Sequence, residues 1–375
     1  VVIPADWKEL RIGEFCDANW GNTAITKSSY VNSGITAFSA SGPDGFVSWH
    51  ERIGDGIVLS AIGALCGKTW LAEGKWTPIK NTIWMQVQSP DFSTKYLYYA
   101  TGDPKFWPSR GAAQPFIGLG DVRNLKVQLP PLKEQEAIAE ALSDADAAIE
   151  SLDALITKKR DVKQATMQQL LTGRTRLPGF NADWKEVRLG DHASMRSGGT
   201  PLTSVASFYG GTIPWASISD MSASGKYLSV TDRSITEAGL SSSPAVVFPE
   251  RVLLYAMYAS IGECCISLSP MATSQAILGI KCASSLDLEF LYYIMQSKRA
   301  EIALSGQQGT QSNLNAQMVR ETLFTLPPLK EQEAIADALR VIDDELEVLT
   351  EQVTKLRMVK EGMMQDLLTG KVRLV

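Results

Sequence analysis

The feature that most constrains this chain is that it repeats itself. LPPLKEQEAIAEAL at Leu129–Leu142 returns as LPPLKEQEAIADAL at Leu326–Leu339, an offset of 197. The match runs without a gap to LLTGRTRL (Leu170–Leu177) and LLTGKVRL (Leu367–Leu374), and 29 of these 49 positions are identical. A second match opens each half: ADWKELRIGE from Ala5 and ADWKEVRLGD from Ala182, offset by 177. The offsets differ by 20, so the second intervening region is longer by that much. Each half is therefore a short shared opener, a variable region of more than 100 residues and a shared closing segment, the signature of a duplicated architecture.

The closing segment reads as a long helix. In the second copy Ile335, Leu339, Ile342, Leu346, Leu349, Val353, Leu356, Lys360, Met363 and Leu367 follow alternating 4,3 spacing, the a/d seam of a coiled coil. The first copy gives Ile138, Leu142, Ala145, Ile149, Leu152 and Ile156, then turns polar at Lys159, Lys163 and Thr166 before Leu170. Pro131 and Pro328 suit a helix start, and Gly173 and Gly370 suit its end. At 1.5 Å per residue such a helix runs about 60 Å and needs a partner. Charge names it. Residues 131–155 carry net −6 and 156–177 net +5; residues 328–352 carry −6 and 353–375 carry +3. A macrodipole explains acid-first, base-last bias only within the terminal turns. Antiparallel pairing of the two helices sets acid against base along their whole length.

The variable regions read as mixed α/β, rich in short strands. Turn clusters such as Ser41–Gly45 separate β-prone stretches such as Gly56–Ile62 and Val252–Ser260. Tyr96–Ala100 and Phe290–Met295 mark a matching short helix in each half. The expected organisation is a domain over 1–130, a first long helix over 131–175, a second domain over 176–327 and a second long helix over 328–375. The fold class is α/β (mixed α+β), a pseudo-twofold internal repeat with an antiparallel coiled coil.

No motif for chemistry survives inspection. Phe116-Ile117-Gly118-Leu119-Gly120 has the glycine spacing of a cofactor loop, but no alternating β/α series surrounds it, and a glycine turn is the reading preferred. Gly67-Lys68-Thr69 lacks the glycine that a P-loop needs at position 62. Histidine is limited to His50 and His192, and Cys264-Cys265 suit neither a tetrahedral metal site nor an ordinary disulfide. No catalytic residue, metal site or cofactor is expected. Five cysteines without CxxC spacing suit a reducing cytosol, no apolar run reaches membrane length, and the charged opener does not read as an export signal. The expected location is cytoplasmic.

Taken together these residues resemble the specificity (S) subunit of type I restriction–modification enzymes. The carriers are the duplicated LPPLKEQEAIA segments, the LLTG helix ends and the WKEVRLGD opener. Within the second half they include Ser197–Pro201 (SGGTP), Tyr209, Ile213-Pro214-Trp215 and Asp220, and before each long helix the stretches Gly111–Ile117 and Gly306–Leu314. The first half lacks SGGTP and has Trp20-Gly21-Asn22-Thr23 there. The resemblance implies two target recognition domains, each reading one half of a bipartite double-stranded DNA target. It implies helices that set the spacer and dock two modification (methyltransferase) subunits, with restriction subunits joining the complex. The chain itself would be non-catalytic.

Phosphate and base contacts favour Lys, Arg, Ser, Thr, Asn and Gln. The candidates are Lys27, Ser28, Arg52, Arg110 and Gln114 in the first domain, and Arg196, Thr200, Ser217, Gln307, Gln308 and Gln311 in the second. The competing reading of each is a solvated loop side chain, and Gln114 and Gln311 could equally brace a loop. Trp20 and Trp215 read as packing. The helix seam supplies the intramolecular interface, and further apolar positions such as Leu155 and Val348 offer a second face to partner helices. The overall charge of −5 argues at first against nucleic acid. Residues 1–128 and 178–325, however, carry only +1 and −2, and the closing segments hold the rest. The rival reading is a non-enzymatic coiled-coil scaffold with two domains that bind something other than DNA.

Overall fold

The computed structural model describes residues 4–248, 251–305 and 314–374. The chain forms two compact units: residues 1–154 with 350–375, and residues 155–349. Each unit holds one variable region and part of both closing segments, so the compact units cut across the four segments expected from sequence. The long helices run Leu132–Leu170 and Leu329–Leu367, 39 residues each.

In the first unit the shared opener makes strand Lys8–Arg11, which pairs antiparallel with Lys126–Leu129, Lys8 opposite Leu129. In the second unit Lys185–Arg188 pairs with Leu323–Leu326, Lys185 opposite Leu326. The opener and the entry to the long helix are repeated together because each needs the other as a ladder partner. Between them the first unit folds an antiparallel sheet in the order Cys16–Trp20, Thr82–Val87, Gly56–Ser60, Thr69–Ala72. A second sheet follows the order Gly42–Val47, Ile35–Ser39, Lys75–Pro78, Arg52–Ile53, with Ile35–Ser39 and Lys75–Pro78 parallel. The second unit repeats the plan. One sheet contains Ala193–Ser197, Ile277–Cys282, Leu253–Ala256, Cys264–Ser267 and Tyr227–Leu228; the other contains Arg233–Ile235, Tyr209–Ala216, Met271–Thr273 and Val247–Phe248.

The sequence reads Ser41–Gly45 as a turn, but the chain is already a strand from Gly42. The reversal falls at Ala40-Ser41, where the Ser41 amide donates to Ser39 Oγ at 3.0 Å. Pro43 is tolerated because this strand is a sheet edge. The short helices expected near Tyr96 and Phe290 are Thr94–Ala100 and Leu288–Ser297. Gly118 does open a helix, Leu119–Asn124, but its N-terminus is taken by the Asp121 carboxylate, which accepts from the Gly118 amide at 3.3 Å and from Arg110 at 2.5 Å.

The heptad seam matches the burial. Ile138, Leu142, Ile335 and Leu339 are at most 1% exposed because they pack into the domain cores. Ile149, Leu152, Ile342, Leu346, Leu349 and Leu356 are half-buried, while Ile156 and Val353 are buried. Gly173 and Gly370 both sit at φ +69 at the helix ends. A Cβ there would lie 3.2 Å from the Trp184 ring in one unit and 2.6 Å from Pro4 in the other, so the LLTG glycine serves both backbone and packing. No described helix is long and apolar enough to cross a membrane.

Candidate nucleic-acid interface and the helix seam

The polar seam positions find acids on the opposite helix. In the second unit Lys159 pairs with Glu345, and Lys163 Nζ lies 2.6 Å from Asp343 Oδ1. In the first unit Lys360 pairs with Asp146, and Arg357 Nη2 lies 2.7 Å from Asp153 Oδ2. Within each unit the acidic part of one helix thus meets the basic part of the other, as antiparallel pairing requires. A tyrosine from each variable region joins in: Tyr99 donates to Asp146 Oδ2 at 2.9 Å, and Tyr293 donates to Asp343 Oδ2 at 2.7 Å. Burial and the hydrogen-bonded carboxylate both push these phenols above their ordinary range.

The Glu-Gln pair of LPPLKEQ has a purely structural explanation. Gln135 donates to the Pro130 carbonyl at 2.8 Å and accepts from the Ser93 amide at 2.8 Å; Gln332 does the same with Pro327 and Asp287 at 2.8 Å each. Ser93 and Asp287 are the N-caps of the matching short helices. Glu134 and Glu331, both fully buried, accept paired bonds from Arg373 and Arg176. Sequence reading found the motif but not these roles, because each partner lies far away in the chain.

The proposed DNA contacts among the described residues fall on a 3₁₀ turn, loops, a helix cap and edge strands. Lys27 and Ser28 share a one-turn 3₁₀ helix, Lys27–Ser29. Lys27 Nζ sits 2.7 Å from Asp44, and Ser28 Oγ lies 2.7 Å from Thr26 Oγ1. Asp44 is anchored further by Tyr30 at 2.6 Å and Ser39 at 2.7 Å. Burial raises the Asp44 pKa, but the Lys27, Tyr30 and Ser39 contacts outweigh it and hold the group below the ordinary value. Arg110 and Gln114 are exposed on one loop, closed by bonds of 2.9 and 2.8 Å between Arg110 and Phe116. Arg52 lies flat on Trp84, its guanidinium carbon 3.4 Å from the ring centroid. Trp20 stacks on Phe116 at 6.0 Å between centroids.

In the second unit Arg196 is exposed on the edge strand Ala193–Ser197 and Thr200 is half-buried. Ser217 caps Ile218–Ser224 and donates to Asp220 Oδ2 at 2.6 Å. Gln307, Gln308 and Gln311 lie outside the described residues. Trp215 is 5% exposed and donates to the Gly199 carbonyl at 3.0 Å, as packing requires. The first domain's Trp20-Gly21-Asn22-Thr23 occupies the place of SGGT. A Cβ on Gly21 would lie 2.2 Å from the Ile79 carbonyl oxygen, and one on Gly198 would lie 2.5 Å from the carbonyl oxygen of Ser274. The absence of SGGTP is therefore a change of side chains on a retained frame. Cys264 and Cys265 are buried and free, and no metal-holding cluster occurs among the described residues.

Comparison with known proteins agrees with this architecture. A model of the type I restriction modification DNA specificity domain matches residues 4–158 and again 181–356. The chain is 24% identical over 404 aligned residues to the type I restriction enzyme MjaVIII specificity subunit of Methanocaldococcus jannaschii, covering 99% of this chain and 94% of that protein. It is 25% identical over 281 residues to the putative MjaX specificity subunit of the same organism, covering 72% of this chain and 64% of that protein. The chain thus spans just under two thirds of that second relative. The crystal structure of the type I S subunit from M. genitalium shares the fold at a TM-score of 0.69, with 16% identity over 97% of this chain and 96% of that one. A chain from a structure on assembly and conformational transition of the type I R-M system gives a TM-score of 0.58, with 17% identity over 99% and 100%. This chain belongs to the type I restriction modification DNA specificity domain family and carries two copies of that domain.

Proposed function

We propose that each recognition domain reads one half of a bipartite DNA target, that the paired helices set the spacer between the halves, and that they dock the modification subunits. The named relatives are specificity subunits, so the part assigned to this chain is selection of DNA and not catalysis. The observation that carries the reading is the duplication: one frame is built twice, its structural residues retained and its loop side chains changed. Two different readers on one plan suit two different half-sites. The proposed division of the chain is a reader over 1–130, a helix over 131–175, a reader over 176–327 and a helix over 328–375.

Docking is assigned to the outer helix face. Val341 and Val348, one heptad apart, are 55% and 54% exposed, and Leu155 and Val162, also one heptad apart, are 39% and 46% exposed. Apolar side chains at heptad spacing outside a two-helix seam are what further helices complete into a bundle. The near-neutral reader regions imply that modification subunits supply much of the positive surface. The reading is tested by filter binding of the assembled complex to duplex DNA across a salt series. Affinity that falls linearly in log–log form with salt supports it. A flat response contradicts it and favours a scaffold whose domains bind something else.

A further inference from the structure

The two recognition domains share a strand-and-turn frame that no sequence repeat reveals. In the first domain the Gly21 amide donates to Thr82 O at 2.9 Å, Asn22 to Pro78 O at 2.9 Å, Ile79 to Phe38 O at 2.9 Å and Ala61 to Asn81 O at 3.0 Å. In the second, Gly198 donates to Ile277 O at 3.0 Å, Gly199 to Thr273 O at 2.9 Å, Ser274 to Ala216 O at 2.9 Å and Met257 to Ala276 O at 2.9 Å. The bonds correspond one for one and lay Ile79-Lys80-Asn81-Thr82 on Ser274-Gln275-Ala276-Ile277. Both turns leave the carboxyl end of a strand, Lys75–Pro78 or Met271–Thr273, that is paired in parallel with Ile35–Ser39 or Tyr209–Ala216. Ser39, the last residue of its strand, and Ser217, one residue beyond its own, donate to Asp44 at 2.7 Å and Asp220 at 2.6 Å. The crevice at the carboxyl ends of parallel strands is where ligands settle in open α/β sheets.

On this matched frame one exposed side chain differs in kind. Lys80 follows Ile79, which is 3% exposed, and Gln275 follows Ser274, which is 8% exposed. Each is thus a long polar side chain projecting from a fixed, buried turn. Neither has a hydrogen-bond or ion-pair partner among the described residues. In the first domain Lys80 lines a cleft of about 280 Å³ with Thr26, Lys27, Ser41 and Asn81. With Lys27 held by Asp44, the Lys80 ammonium beside hydroxyl donors suits a phosphate oxygen, which lysine holds as a point charge. Glutamine carries both a donor and an acceptor and suits the adenine edge in the major groove.

We infer that this turn is the DNA-contacting turn of each recognition domain, with Lys80 on a phosphate of the first half-site and Gln275 on a base edge of the second. The inference rests on the bipartite reading above. It is tested on the complex with modification subunits, by mapping the methylated motif and by binding across a salt series. Gln275→Ala relaxes one position of the second half-site, discrimination there falling roughly 5- to 100-fold, and leaves the first half-site unchanged. Lys80→Ala keeps both half-site sequences but weakens binding and lowers the salt slope by about 1; Lys80→Arg restores that slope. An unchanged motif with Gln275→Ala together with an unchanged slope with Lys80→Ala overturns the inference, while a bipartite wild-type motif keeps the broader reading. A wild-type complex without a bipartite motif overturns both.

Discussion

Arg373 and Glu134 are joined by two short hydrogen bonds, Nε to Oε1 at 2.5 Å and Nη2 to Oε2 at 2.7 Å, across 239 positions of sequence. Arg176 and Glu331 repeat the arrangement at 2.6 and 2.7 Å. In each case the arginine that follows LLTG in one repeat closes on the glutamate of LPPLKEQ in the other. The glutamate is fully buried, so its charge depends on that partner. Arg373→Ala should therefore destabilise the first unit more than the double change Arg373→Ala with Glu134→Ala, which removes the stranded carboxylate as well. Thermal unfolding of the two variants decides this; a double variant no more stable than the single one contradicts it.

The helix seam is strongest where it enters a domain core. Ile138→Ala and Leu339→Ala, at sites with no exposure, should each cost about 2–5 kcal/mol. Leu349→Ala, at a half-buried site, should cost less. Denaturant titration checks the ranking, and equal losses at all three sites contradict it.

Lys163 and Asp343 offer a charge-exchange test. Their side chains are 18% and 21% exposed, and Tyr293 shares the aspartate. Lys163→Glu and Asp343→Lys should each destabilise by about 1 kcal/mol or more, and combining them should recover part of the loss. Thermal melts showing additive losses would argue against opposed charges as the seam's pairing rule.

Asp44 gives a prediction with a pH sign. Its folded pKa lies below the ordinary value of 3.8, so its ionised form contributes stability that is fully present above that value. The contribution is lost as pH falls through the lower folded value. The stability gap between the wild type and Asp44→Asn should be constant near neutrality and close in acid below pH 3.8. A gap that persists there contradicts the assignment.

If the outer helix face docks the modification subunit, Val341→Lys with Val348→Lys should leave the chain folded and abolish co-purification with that subunit. Retained co-purification moves the docking surface elsewhere.

Much of this architecture was legible in the sequence because repetition and heptad spacing are local signals. The seam from Ile138 to Leu356, the helix-ending glycines and the charge segregation needed no structure. The partners of Glu134, Gln135 and Tyr99 were not legible, since each arises from chain segments that meet only on folding. The matched turns of Lys80 and Gln275 were hidden for another reason. Their frame is written in backbone hydrogen bonds and in two glycines, Gly21 and Gly198, which many sequences can satisfy. Among the candidate contacts Lys27 lines a cleft with Lys80 and Arg52 lies flat against Trp84, arrangements that composition cannot reveal.

The proposed function requires one chain to specify two half-sites at a fixed separation. Genome-wide mapping of methylated adenines in cells carrying this chain and its modification subunit tests it directly. The expected result is one motif of two short defined halves separated by a constant run of unspecified bases. A single contiguous motif, or no motif dependent on this chain, would contradict it.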